Sequence, residues 1–245
     1  IRSYIIPDSE DHVLLVRDYS QQEVRILAHF EDGRLCEAYR ADPTMDVHRF
    51  AQTLVNGTLG TSFDRKPIKE TGLGLIYGLG VCKLAKKIGT DVTTARKIKN
   101  AYMASMPDLK RLNTDIKLRA RSDAPIRTWG GREYYCEPAR VVEGKIRQFD
   151  YKLLNRLIQG SAADNTKESI IRYDAALRVA KIAPEEGRFA VTVHDENMGI
   201  SHRRLERKHM ALMKEAMESV EFDVPMLSEG KIGRRNWADL KDYKD

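Results

Sequence analysis

Two stretches of the chain combine an apolar strand pattern with a carboxylate at its end. Val13–Val16 is an uninterrupted aliphatic run that is followed, one residue later, by Asp18. Such a run is typical of a strand buried on both faces. Residues 189–193 alternate apolar and smaller side chains before Asp195 and Glu196, which predicts a second strand. A sheet that paired the two strands would bring Asp18 and Asp195 together.

Carboxylates held close together repel one another unless a divalent cation lies between them. Hard oxygen ligands suit Mg²⁺, which keeps several waters and also binds substrate phosphates. The pattern therefore favours a magnesium site formed by Asp18 and Asp195. The alternative is that an acid at a strand end is only a turn residue, and either strand taken alone leaves this alternative open.

Helical periodicity and capping signals predict helices between the two strands. Ser20-Gln21-Gln22-Glu23 is a capping box that opens a helix to about residue 30. Glu23 could therefore serve only as a helix cap. It could also have a functional role, because it lies about one helical turn beyond Asp18. Further helices are predicted from residue 46 and over 64–78, 92–105, 107–121, 149–182 and 203–220, with a hairpin over 128–135 around a Gly-Gly turn.

The predicted helix over 64–78 carries side chains that could bind phosphate. Arg65, Lys69, Leu73 and Tyr77 are spaced by four and share one slowly drifting face. Two cations at the positive end of a helix dipole could bind a triphosphate. The alternative is a basic, solvated helix end.

The predicted helix over 149–182 presents a pair of amides and a stretch of small residues. Asn155 and Gln159 lie four apart on one face, where they could contact base edges or merely bond to a neighbour. The run 160–163 is Gly-Ser-Ala-Ala, which suits close packing of another element.

Composition adds only broad limits. The 245 residues, 42% of them hydrophobic and 32% charged, suffice for one large domain or two lobes. A net charge of +6 allows an anionic partner such as nucleic acid. Three scattered cysteines predict free thiols and no zinc site. No apolar run reaches bilayer length and no signal-peptide pattern is present, so we expect no membrane association.

Taken in chain order, several segments match the motifs of one known family. Asp18–Arg25 is similar to the motif DYSQxELR, and residues 65–78 match Rx3Kx7YG. Asn155–Asp164 is similar to NxxxQGxAAD, and Val193–Glu196 matches VHDE. Weaker similarities relate residues 46–49 to the segment DIHR and residues 224–237 to the C-terminal run of the same family. The chain therefore resembles the polymerase portion of family-A DNA polymerases, which include bacterial repair enzymes and many phage replicative enzymes.

The resemblance implies template-directed nucleotidyl transfer with two Mg²⁺ ions. Asp18 and Asp195 would be the catalytic metal ligands, with the Tyr19 carbonyl as a third ligand and Glu196 as a secondary one. Lys69 would act in catalysis by donating a proton to the leaving pyrophosphate.

The resemblance also implies contacts to nucleotide and DNA. Glu23 would exclude a ribose 2′-hydroxyl by crowding. The other implied nucleotide contacts are Arg65, Lys69, Leu73, Tyr77, His48 and Gln21, and the implied DNA contacts are Asn155 and Gln159 at the minor groove, His194 at the primer end, and Tyr151. Two positions depart from the family pattern, since Leu73 stands where an aromatic is usual and Tyr151 where many members carry an arginine.

The implied fold is α/β (α+β), a right-hand polymerase palm with an antiparallel sheet and a helical fingers subdomain. We expect palm over 1–25 and 149–245 and fingers over 26–148. The thumb and any exonuclease region would precede Ile1, so the chain is expected to be a piece of a longer protein. Its partners would be primer-template DNA, deoxynucleoside triphosphates and an unknown processivity factor, in the cytoplasm of a bacterial or phage-infected cell.

Two other hypotheses remain at this point. The chain could be a fragment that binds primer-template without catalysis, because no thumb is apparent. It could also be a two-metal nuclease, because paired carboxylates and metals also hydrolyse phosphodiesters. The predicted triphosphate-binding helix favours the polymerase, since a nuclease needs no triphosphate site.

Overall fold

The computed structural model describes residues 1–60, 62–76 and 79–245, without the side chains of 58, 59, 73, 75 and 76. The chain divides into two compact units. Ile1–Gln22 and Ala162–Asp245 form the first, here called the sheet unit, and Glu23–Ser161 form the second, the helical unit. The predicted palm and fingers boundaries stay a prediction.

The described residues contain helices and short antiparallel strands throughout. The strands are β1 (His12–Tyr19), β2 (Ile126–Arg127), β3 (Glu133–Tyr134), β4 (Arg140–Val142), β5 (Lys145–Arg147), β6 (Gly187–Val193), β7 (Glu196–His202), β8 (Ser228–Gly233) and β9 (Leu240–Asp242). The helices are α1 (Gln22–Glu31), α2 (Arg34–Ala41), α3 (Val47–Leu59), α4 (Arg65–Ile76), α5 (Val81–Ile88), α6 (Val92–Ser105), α7 (Pro107–Arg121), α8 (Lys152–Val179) and α9 (Glu206–Glu218).

Most sequence-predicted elements are confirmed, with shorter bounds at two helices. α6 and α7 have the predicted limits, and the hairpin over 128–135 is β2 and β3. The helix predicted over 149–182 is α8, which begins at Lys152 and ends at Val179. The helix predicted over 203–220 starts with a 3-10 turn at Arg203–Leu205 and continues as α9.

The sheet unit is built around β1. Its five strands lie in the order β6-β7-β1-β8-β9, and neighbouring strands are antiparallel. This confirms the predicted antiparallel sheet from the first and last parts of the chain. Central placement explains the uninterrupted apolar run of β1, because Val13–Val16 are fully buried.

Apolar side chains cover both faces of this sheet. On one face, Val13 and Leu15 pack with Tyr173 and Leu177 of α8 and with the methionines of α9. On the other face, Leu14 and Val16 pack in a cluster with Met198, Ile200 and Trp237. β1 is thereby held rigidly just before its acidic end.

The helical unit uses small residues for close packing. A methyl group on Gly72 of α4 would lie 2.7 Å from the Tyr102 hydroxyl of α6, so this glycine accommodates a tyrosine. A methyl group on Gly160 of α8 would lie 2.7 Å from Thr128 beside the β2–β3 hairpin. The close packing expected of residues 160–163 is therefore present at Gly160.

The three cysteines are free thiols, as predicted. Within the part of the chain that the structure describes, no helix is both long and apolar enough to cross a bilayer.

Candidate functional site

An acidic centre lies at the end of β1 in the sheet unit. Asp18 of β1 is directly opposite Glu196, the first residue of β7. The turn before β7 contains His194 in the left-handed conformation, with φ 58°, and this geometry reverses the chain. The Tyr19 amide donates a hydrogen bond to the Asp195 carbonyl at 3.2 Å. The two strands thus bring Asp18, Asp195 and Glu196 into one neighbourhood.

The Asp18 carboxyl is partly buried beside two other carboxylates, and this environment changes its pKa. Burial, and then the charges of Asp195 and Glu196, raise the pKa of Asp18 to about 6, although Lys231 opposes the shift. Its Oδ1 is buried and has no hydrogen-bond partner among the described residues. A buried acceptor facing other carboxylates is satisfied by a cation, so Asp18 and Asp195 fit Mg²⁺ chemically.

The acidic centre is not a preformed metal cage. Over residues 1–60, 62–76 and 79–245, no group of three or more His, Cys, Asp and Glu side chains is arranged to hold a metal ion. Mg²⁺ commonly uses one or two carboxylates together with water and substrate phosphates. A carboxylate pair is therefore sufficient for a magnesium site that is completed by substrate.

In metal-free protein, Asp18→Asn is expected to stabilise the fold at about pH 8 and to have little effect near pH 3, below both pKa values. The folded-state pKa is raised from 3.8 to about 6, so the wild type loses stability as pH rises through that window. The expected gain at pH 8 is about 1 kcal/mol, less than the full shift implies because Asp18 is partly exposed and screened by solvent. Urea unfolding at both pH values measures the change in the free energy of unfolding. Equal changes at both pH values would contradict the raised pKa of Asp18.

Two charged residues of β8 lie beside this centre and were not predicted from the sequence. Glu229 is directly opposite Asp18 in the β1–β8 pairing, and Ser20 donates a hydrogen bond to it at 3.2 Å. Lys231 lies two residues further along β8 and lowers the pKa of Asp18. The alternation of residues 228–232 is a strand signal that could have located both.

A cationic cluster lies on α3 and α4 of the helical unit. Asp46 caps α3 and accepts two hydrogen bonds from the Arg65 guanidinium, each at 3.0 Å. Burial, and then the charges of Lys69 and Arg65, lower the pKa of His48. Three of the predicted triphosphate contacts, His48, Arg65 and Lys69, are thus neighbours in the structure.

Two predicted nucleotide contacts lie outside the residues and side chains that the structure describes. Tyr77 is not among the described residues, and Leu73 is described only as part of α4, without its side chain. Their predicted roles against the incoming nucleotide and the template therefore stay predictions.

The remaining predicted contacts are distributed over both units. In the helical unit, the Gln159 amide donates to a Glu23 carboxylate oxygen at 3.4 Å. Asn155 has a buried Oδ1 with no hydrogen-bond partner in the described part of the chain, and Tyr151 is 45% exposed. In the sheet unit, Gln21 is exposed and adopts a φ of 58° just before α1. The bond between Glu23 and Gln159 brings two of these predicted contacts together.

Comparison with known proteins identifies the family of this chain. The sequence profile of DNA polymerase family A matches residues 1–239. The chain belongs to DNA polymerase family A. The resemblance inferred from the motifs is therefore confirmed.

Relatives in the family are longer proteins. DNA polymerase I of Bacillus caldotenax is 28% identical over 250 residues, which cover 98% of this chain and 28% of that protein. DNA polymerase I of Lactococcus lactis subsp. cremoris is 30% identical over 249 residues, with the same coverage of each chain. This chain thus spans about 28% of the length of the curated family-A relatives it matches.

A solved family-A structure shows the same fold. The POL domain of Pol1 from M. smegmatis, in complex with DNA primer-template and dNTP, aligns with a TM-score of 0.82 at 27% identity. The alignment covers 97% of this chain and 42% of that one. The predicted mixed fold with an antiparallel sheet is therefore confirmed.

Proposed function

We propose that this chain carries the nucleotidyl-transfer site of a template-directed DNA polymerase. The observation that carries the proposal is the carboxylate pair of Asp18 and Asp195, in a member of DNA polymerase family A. Charge supports the choice of partner, because the helical unit contains 25 lysines and arginines against 16 aspartates and glutamates, a net of +9. A surplus of this sign suits primer-template DNA and nucleoside triphosphates.

The acidic centre would hold the metal. Asp18 and Asp195 would bind two Mg²⁺ ions, with the Tyr19 carbonyl as a further ligand and Glu196 as a secondary one. Bound Mg²⁺ stabilises the attacking and leaving oxygens of an in-line phosphoryl transfer. The protein's own contribution would be to fix Asp18 at the end of β1, whose residues 13–16 are fully buried, with Asp195 in the turn before β7. Such preorganisation avoids reorganisation during the reaction.

The cations of α3 and α4 would bind the triphosphate. Arg65 would bind phosphate oxygens through its planar guanidinium, since its bonds to Asp46 leave other N–H donors available. Lys69 would contact the phosphates and donate a proton to the departing pyrophosphate. His48, whose pKa is lowered by burial and these cations, would bind as a neutral donor.

The other contacts select the substrates. Glu23, held by Gln159, would exclude a ribose 2′-hydroxyl by crowding, and Gln21, Leu73 and Tyr77 would complete the nucleotide contacts. Asn155 and Gln159 would contact the minor groove, whose acceptors differ little among base pairs. His194 would approach the primer end, and Tyr151 would face the primer-template.

Primer extension with a single complementary nucleotide and Mg²⁺ tests the proposal. It should be run with the chain alone and with the chain substituted for the matching segment of the B. caldotenax enzyme. Templated incorporation by either form supports DNA synthesis. Binding without incorporation in both forms would favour the primer-template-binding hypothesis, and primer shortening would favour the nuclease.

Lys69→Ala is expected to lower kcat/KM for the nucleotide about a hundredfold, because one side chain supplies both a phosphate contact and a proton. Steady-state incorporation at limiting nucleotide measures the effect. Lys66→Ala is the matched control, since Lys66 is an exposed cation of the same helix. Equal rates for the two variants would exclude the proposed role of Lys69.

Glu23→Ala is expected to raise ribonucleotide incorporation at least about tenfold relative to deoxyribonucleotide, because the crowding carboxylate is removed. The readout is the ratio of the two kcat/KM values on one template. An unchanged ratio, with a lower free energy of unfolding, would instead support the helix-capping explanation of Glu23.

A further inference from the structure

A tryptophan of the sheet unit is hydrogen-bonded to the acidic centre. The Trp237 indole N–H donates to a Glu196 carboxylate oxygen at 3.0 Å. Trp237 is 6% exposed, and its ring belongs to the apolar cluster of Leu14, Val16 and Met198. Because the ring is enclosed on this face of the sheet, the direction of its N–H is fixed.

Two further contacts hold Trp237 in place. The Trp237 amide donates to the Ile5 carbonyl at 2.9 Å. The Arg2 guanidinium lies 4.5 Å from the centroid of the Trp237 ring, in a cation–π contact. These contacts fix both the backbone and the plane of the indole, so the donor reaches Glu196 with little freedom.

Glu196 is the carboxylate whose direction is least determined by its strand. Asp18 and Glu196 are directly opposite in adjacent strands, so both side chains project from the same face of the sheet. A glutamate has one more rotatable bond than an aspartate, and an unrestrained Glu196 would therefore sample several distances from Asp18. The indole bond selects one of these positions.

We propose that Trp237 is a positioning residue of the acidic centre, which acts by holding the Glu196 carboxylate where it supports divalent-cation binding by Asp18 and Asp195. The inference rests on the proposed function, since it assigns a role at the same site. Groups that orient the ligands of a metal commonly change metal affinity 10–100-fold when they are removed.

Trp237→Phe is the decisive variant, because it removes the N–H donor and keeps most of the ring. Mn²⁺ binding to the protein alone, followed by electron paramagnetic resonance, is expected to weaken about tenfold. Trp129→Phe is the matched control, since Trp129 is the other of the chain's two tryptophans and lies in the helical unit. Both variants are measured at a temperature at which their circular dichroism shows a folded protein.

A double-mutant cycle with Glu196→Gln tests whether Trp237 acts through Glu196. If it does, adding Trp237→Phe to Glu196→Gln weakens Mn²⁺ binding by less than about twofold, a strongly non-additive result. An undiminished effect in that background, or unchanged Mn²⁺ affinity in Trp237→Phe, overturns the inference.

Asp18→Asn separates this inference from the proposed function. Loss of Mn²⁺ binding in Asp18→Asn, combined with normal binding in Trp237→Phe, overturns the role of Trp237 alone. Mn²⁺ binding that survives Asp18→Asn overturns the metal site, and the role of Trp237 with it.

Discussion

Single-nucleotide incorporation is expected to fall at least about a thousandfold when Asp18 or Asp195 is replaced by asparagine, because the charge proposed to hold the metals is lost. Asparagine keeps the shape of aspartate, so the packing of β1 should persist. At Asp18 the change also removes a carboxyl whose pKa is raised to about 6 by burial and then by the charges of Asp195 and Glu196. Single-turnover incorporation at saturating nucleotide and Mg²⁺ measures the loss.

The matched control is Glu215→Gln, which neutralises an exposed acid on α9 of the same unit. It should leave the incorporation rate unchanged. Circular dichroism should show all three variants folded at the assay temperature. Near-normal incorporation by either aspartate variant would remove that residue from the metal site.

A second large effect is expected from Asp245→Ala, which should lower the free energy of unfolding by about 2 kcal/mol. Arg17 of β1 has a fully buried side chain and donates to the two Asp245 carboxylate oxygens at 2.7 and 2.9 Å. Removing Asp245 leaves a buried guanidinium with bonds to Ser228 and with Glu218 at 4.0 Å. A fully buried pair would lose 3–5 kcal/mol, but Asp245 is partly exposed and Glu218 compensates in part.

Urea unfolding at about pH 7 measures this effect, with Asp242→Ala as the control at an exposed acid of β9. The Arg17 guanidinium holds the pKa of Asp245 well below its usual range. A lowered pKa contributes stability above the unfolded-state value near 3.9, which is lost as pH falls through the folded-state value. The difference between wild type and Asp245→Ala should therefore shrink in strong acid, and a difference independent of pH would contradict the ion pair.

Local patterns in the sequence were enough to predict the elements that carry the chemistry. The aliphatic run 13–16 predicted a strand because a central strand is buried on both faces, and Asp18 follows that run in the sequence. α6, bounded by the Asp91 cap and by Pro107 at the start of α7, was predictable because caps and prolines act within one turn. The motifs then identified the family, since their order along the chain is a property of sequence.

Contacts between distant residues were not predictable in this way. Arg17 stands in an apolar strand, and nothing near it in sequence indicates that its counter-ion is 228 residues away at Asp245. The Trp237 bond to Glu196 spans 41 residues, and the Arg65 bond to Asp46 spans 19. Such pairs depend on how strands and helices pack, and no local periodicity encodes them.

The sequence by itself determined the family, the antiparallel sheet and the identity of the paired acids, because short-range patterns and motif order carry that information. Only the tertiary structure decided the electrostatic environment of those acids. β8 brings Glu229 and Lys231 beside Asp18, and Trp237 reaches Glu196 from another segment. The pKa of Asp18 is set by burial and by charges brought near in space, and these distances exist only once the sheet has formed.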